Sequence, residues 1–140
     1  MPFDFAKLNV WAVLVAALIA FVVGAVWYTA LFGKLWIALH GFSAQKVKEM
    51  QAAMSPPRFF GGMLASYLAL ALALGLMLTA LPEPTALTGA ALSLLVWLGC
   101  AAIVMTGHIA SDKRLGIYLI DVGCQLVYLV LMGVLLGAWR

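Results

Sequence analysis

An all-α membrane protein with four spanning helices is the fold this sequence predicts, on three observations. Hydrophobic residues make up 66% of the 140-residue chain and charged residues 9%, where soluble domains average roughly half and a quarter. Four apolar runs each reach the roughly 20 residues that a helix needs to cross a hydrocarbon core about 30 Å thick. The segments outside those runs, connectors and ends, hold nearly all of the charge. A water-soluble domain of this size could not bury so much apolar surface. Four strands would leave backbone groups unpaired in lipid without closing a barrel. The expected architecture is a single transmembrane domain over 1–140. It is an antiparallel bundle of four helices with a short amphipathic surface helix between spans one and two.

The opening stretch, MPFDFAKLNV, does not have the pattern of a signal peptide. Asp4 interrupts its basic character, and the apolar run that follows is about 23 residues, longer than a signal peptide's hydrophobic region. A retained span from about Leu8 to Phe32 is expected. The long connector from Gly33 to Arg58 contains Ser43, a helix-capping residue. Beyond it Val47, Met50 and Met54 fall on one helical face, with Lys46, Lys48 and Glu49 elsewhere. Ser55-Pro56-Pro57 ends this helix. Either an amphipathic helix lying on the membrane surface or an ordinary solvated helix fits the pattern. Span two runs from about Phe59 to Leu81. The tight turn Leu81-Pro82-Glu83-Pro84-Thr85 predicts an antiparallel hairpin with span three, about Ala86 to Gly107. A polar turn, His108 to Arg114, leads into span four, about Leu115 to Trp139.

The net charge of +3, from 8 Lys+Arg and 5 Asp+Glu, is too small for a nucleic-acid footprint. Its distribution is informative. Lys34, Lys46, Lys48, Arg58, Lys113 and Arg114 lie in the first and third connectors, whereas the other side has only Lys7 and Arg140. Basic loops stay in the cytoplasm, so both termini are expected outside, in the periplasm of a bacterial inner membrane. Lys34, Lys46, Lys48 and Arg58 are also placed to meet anionic lipid head groups. Trp11, Trp27, Tyr28, Trp36 and Trp139 lie near span ends, where interfacial aromatic anchors are expected.

Small residues recur at helical spacing. Ala12, Ala16, Ala20 and Gly24 do so on span one, Ala65, Ala69 and Ala73 on span two, and Gly133 and Gly137 on span four. Such stripes let helices approach closely in lipid. One of them is free to serve a homo-oligomer.

Asp121 is the acid that lies well inside a span. It sits about 9 Å from the nearer span end by helical rise, and intramembrane acids are costly. Gln125 shares its four-residue row, Tyr118, Cys124 and Tyr128 border that face, and Trp27, Tyr28, Ser66, Tyr67, Thr106 and His108 belong to the same half of the membrane. A polar cluster is expected there, with Asp121 accepting a hydrogen bond from Tyr28 or Tyr67. Two accounts stay open. Asp121 binds a proton or cation or lines a watery vestibule, or it pins helix four to its neighbours. His40, His108 and Asp112 lack the tight spacing of a metal site and fit interfacial polar residues. Cys100 and Cys124 fit inert packing. The sequence holds no catalytic triad, phosphate loop or carboxylate pair, so neither enzymatic activity nor a cofactor is expected.

The stretch Asn9 to Ala17, followed by Gly24-Ala25-Val26-Trp27-Tyr28 and Phe32-Gly33-Lys34-Leu35-Trp36, resembles the first half of a bacterial membrane family, domain of unknown function 1761. The run Leu119-Ile120-Asp121-Val122-Gly123, with Met132-Gly133 and Gly137-Ala138-Trp139-Arg140, resembles that family's last helix. Cys124 stands where such proteins often have an aromatic residue. The resemblance implies a small four-span membrane protein and no particular activity. The leading expectation is a homo-oligomeric protein of the transport or permeation class with Asp121 as its polar centre. The alternatives are a non-catalytic accessory or scaffold subunit of a larger membrane complex, or a protein that binds anionic lipid.

Overall fold

The computed structural model describes residues 2–140. Those residues form six α-helices: α1 Val10–Val26, α2 Gly33–His40, α3 Ala44–Ala53, α4 Pro56–Thr79, α5 Ala86–Ala110 and α6 Leu115–Ala138. A π-helical turn, Trp27–Leu31, extends α1. Four segments are long and apolar enough to cross a membrane: Val10–Leu31, Pro56–Thr79, Ala86–Ala110 and Leu115–Ala138. The all-helical, four-span class read from the sequence is the observed one.

Local chemistry sets the helix ends. Asn9 caps α1 by accepting from the Ala12 amide. Thr85 and Thr88 form a reciprocal capping box at the start of α5, which satisfies amides that lipid could not. Prolines occupy the first positions of α4, where their missing N–H costs nothing, so this span starts at Pro56 rather than Phe59. At its other end α4 stops at Thr79, short of Leu81. Helix α5 runs through Gly107 to Ala110, which carries His108 into the span. The reversal that follows places Asp112 at φ 50°, a left-handed conformation that a short acid tolerates better than most residues.

The connector holds two helices where one was expected. Ser43 caps α3 through the Lys46 amide, as the sequence suggests, and α3 ends at Ala53 so that Met54 lies just beyond it. Helix α2 was not anticipated, because its eight residues carry no N-terminal cap. The π turn launches it instead. Gly33 permits this, since a side chain there would collide with the Tyr28 carbonyl.

The spans do not pack as an even square. Helices α1, α4 and α6 share one core, in which Ala12, Ala16, Ala17 and Ala20 meet Ala71 and Leu74 of α4 and Leu129 and Met132 of α6. Helix α5 packs almost wholly against α6 and touches α4 only marginally. The hairpin expected between spans two and three therefore has only a marginal shared interface, and the closely packed hairpin is α5–α6. Glycine explains this. A Cβ on Gly89 would strike the Gly133 backbone, one on Gly133 would strike Gly89 and Ser93, and one on Gly137 would strike the Thr85 carbonyl. Such backbone-to-backbone approach gives close van der Waals contact in lipid.

The stripe Ala12, Ala16, Ala20 and Gly24 is buried in this core, as are Gly133 and Gly137 in the α5–α6 seam. The stripe Ala65, Ala69 and Ala73 instead faces outward. Helix α4 buries Tyr67, Ala71, Leu74 and Leu78, a face of larger side chains. Those fill the gap left by the small residues of α1, so the small face of α4 has no partner among the described residues.

Candidate functional site

At the membrane end occupied by α2, the π turn, α2 and the end of α5 converge on the first turns of α6. The π turn matters to aim. Its amide of Phe32 bonds back to the Trp27 carbonyl at 2.8 Å, an i to i+5 bond, and such wider turns recur at functional sites. Trp27 and Tyr28, neighbours in sequence, both reach α6. The Trp27 indole N–H donates to the Ile120 carbonyl at 2.9 Å, its ring lying over Gly123. The Tyr28 hydroxyl donates to Oδ1 of Asp121 at 2.6 Å. Helix α2 then folds Trp36 back so that its indole N–H reaches the same Oδ1 at 3.3 Å.

The second carboxyl oxygen faces α5. His108 Nε2 lies 3.5 Å from Asp121 Oδ2, with the two side chains 10% and 23% exposed. That separation is at the limit for a hydrogen bond, and Nε2 otherwise has no partner among the described residues. The other ring nitrogen, Nδ1, is 3.0 Å from the Val104 carbonyl. The Tyr118 ring stands edge-on to the imidazole, with centroids 5.5 Å apart, and its hydroxyl donates to the Ala101 carbonyl. An open cleft of about 270 Å³, lined by His108, Tyr118, Met105, Asp112, Lys113 and others, adjoins the imidazole.

Not every residue proposed from sequence belongs to this cluster. Tyr67 does not reach Asp121. Its hydroxyl fills the space over Gly24, where a Cβ would lie 2.9 Å away, and its ring packs edge-on to Tyr128. Ser66, one position before, is turned about 100° around the helix. It is exposed and bonds the Gly62 carbonyl of its own helix, a local bond open to serines inside helices. Gln125 lies one turn beyond Asp121, and its buried Oε1 has no partner among the described residues. Tyr118 borders the cluster through His108 rather than through Asp121. Cys124 is buried and Cys100 half-buried, and both are free thiols.

Trp36 is the member that the sequence does not single out, and His108, placed by depth in the same half as Asp121, reads there as an interfacial group rather than as its partner. A span ending at Gly107 leaves His108 at the membrane boundary, whereas α5 continues to Ala110 and sets the imidazole opposite Asp121. Trp36 was taken for an interfacial anchor, because no helix was expected to return it to the bundle. The available signal for His108 was an imidazole and an acid facing each other across one short reversal. His40 stays with its own helix, its ring tilted against that of Trp36 with centroids 3.9 Å apart and its Nδ1 contacting the Trp36 carbonyl. Lys34, Lys46, Lys48 and Arg58 are all exposed.

Four apolar spans around a hydrogen-bonded intramembrane carboxyl define a multi-pass membrane protein with a single-ended polar centre. Residues 11–137 match the family described as "Protein of unknown function (DUF1761)", and the chain belongs to that family. No curated protein and no solved structure matches it.

Proposed function

We propose that this chain is a small transport-class membrane protein that works as an assembly of identical subunits, with Asp121 as the group that takes up a proton or cation. One observation carries the reading. A carboxyl inside a span receives Tyr28, Trp36 and His108 from three separate segments, and His108 in turn lines a cleft open at one membrane end. An acid in a span is costly and points to ion or proton handling by default. The opposite end of α5 and α6 is closed by the contact of Gly89, Gly133 and Gly137, so a single chain holds a site rather than a continuous path.

Assembly is supported by the outer face of α4. Gly61, Ala65, Ala69 and Ala73 repeat at four-residue spacing and are exposed, a pattern suited to helix association in lipid. The protein would sit in the bacterial inner membrane with its basic connectors in the cytoplasm and both termini outside. Purified protein in proteoliposomes should carry a proton or monovalent-cation flux above that of empty vesicles, and Asp121→Asn should abolish it. Wild-type flux equal to empty vesicles, for protons and for each cation tried, sinks the transport reading. Stoichiometric co-purification with a larger membrane complex would then select the accessory-subunit reading.

A second reading, binding of anionic lipid, rests on the connector. Lys34, Lys46, Lys48 and Arg58 are exposed there beside Met50 and Met54, which are 41% and 37% exposed. Near an anionic surface each such cation contributes about 1 kcal/mol, so loss of phosphatidylserine-vesicle binding by α3 on neutralising Lys46 and Lys48 checks it.

A further inference from the structure

We propose that Asp121 and His108 together hold one proton, and that His108 is the group through which this proton exchanges with water in the adjoining cleft. The proposal deepens the reading above by naming the ligand of the same site. Its test requires no flux, so the two can fail separately.

The argument is one of donors and acceptors. The Val104 carbonyl, 3.0 Å from His108 Nδ1, can only accept, so Nδ1 carries a hydrogen. In a neutral imidazole only one nitrogen carries hydrogen, which leaves a bare lone pair on Nε2. That lone pair faces Asp121 Oδ2 at 3.5 Å in a buried setting, with no other partner among the described residues. An ionised carboxyl opposite a neutral imidazole in this tautomer sets two lone pairs against each other. One proton resolves the conflict. On Nε2 it gives an imidazolium facing a carboxylate. On Oδ2 it gives a neutral acid donating to a neutral imidazole. Interconversion moves only that proton and leaves the net charge of the pair unchanged.

The remaining groups around the pair fit this assignment. Tyr28 from the π turn and Trp36 from α2 both donate to Oδ1, which leaves Oδ2 for the proton. His40 stands behind Trp36, its ring tilted against the indole. On α6, Tyr118 stands against the imidazole and Cys124 lies one turn beyond Asp121. From α4, Tyr67 packs further in, over Gly24. The charged neighbours are Asp112 and Lys113, which line the cleft with His108. The imidazole therefore stands between the cleft and the carboxyl.

The test uses the full chain in lipid nanodiscs, with isotope-labelled histidine and aspartate and His108→Asn to assign signals. The expected result near neutral pH is a hydrogen on Nδ1 of His108 and one further proton between Nε2 and Asp121. Across a pH series, any change in the occupancy of that proton should move the imidazole and carboxyl signals together. After a pH jump followed by time-resolved infrared, the Asp121 carboxyl of His108→Asn should respond at least about tenfold more slowly than wild type, the scale of a lost proton-transfer group. An ionised Asp121 beside a neutral His108 throughout the neutral range overturns the shared proton, as does hydrogen on Nε2 with Nδ1 bare. An unchanged response rate in His108→Asn overturns the exchange role. If that variant does not fold, the wild-type titration still decides the shared proton, and the milder His108→Gln repeats the rate measurement. A shared proton without any Asp121-dependent flux would leave this assignment standing and remove the transport reading.

Discussion

The Asp121 carboxyl takes two donors on one oxygen, the Tyr28 hydroxyl at 2.6 Å and the Trp36 indole at 3.3 Å, while the other oxygen turns to His108. Polar pairs between membrane helices contribute modestly, because the unfolded chain in lipid also finds partners. Tyr28→Phe should therefore lower stability by about 1 kcal/mol, with Asp121 keeping its contact to Trp36. A double-mutant cycle with Asp121→Asn, read by unfolding in mixed detergent micelles, checks this; a coupling indistinguishable from zero would mean that the hydroxyl and the carboxyl do not act on each other. At this scale the sequence was partly legible. An acid in hydrocarbon is conspicuous, and the depth of Tyr28 matched that of Asp121. The depth of the imidazole was legible, but its contact with the carboxyl was not, because its glycine neighbour suggests a helix end earlier than the real one at Ala110. Tyr67 was misjudged because depth alone does not give the direction in which a side chain leaves its helix.

Between elements, contact is governed by where Cβ atoms are missing. Gly133 lies against the Gly89 backbone, whereas Gly99 on α5 has open space around its α-carbon. Gly133→Ala should cost at least about 2 kcal/mol, because the colliding atoms are backbone and cannot change rotamer. Gly99→Ala should be close to neutral. Unfolding titrations of the two variants side by side separate a packing role from a simple preference for alanine in helices, since the latter would favour both substitutions. The repeat Gly133 to Gly137 was readable as a contact face. Its partner was not, because proline and glycine in the α4–α5 turn signal a reversal without saying whether the two helices remain together. The π turn was also unreadable, since one additional residue in a helical turn leaves no mark in hydrophobic periodicity.

For the whole molecule, six basic residues in the first and third connectors face two near the termini, and this asymmetry supports the proposed orientation with those connectors in the cytoplasm. A reporter active only outside the cytoplasm should function when fused after Arg140 and stay silent when inserted after Ala53. The reverse pattern would invert the molecule and put the cleft on the outer side. The four spans were legible because hydropathy sums over about 20 residues and tolerates error at each end. Their order of packing depends on a few small residues and was not. One detail of this arrangement has an optical consequence. Trp36 touches Asp121 through its indole N–H and the His40 imidazole through its ring face. An excited indole responds to a neighbouring charge by shifting colour and to a protonated imidazole by dimming, so the intrinsic fluorescence of the unlabelled chain carries a built-in gauge of the charge beside it.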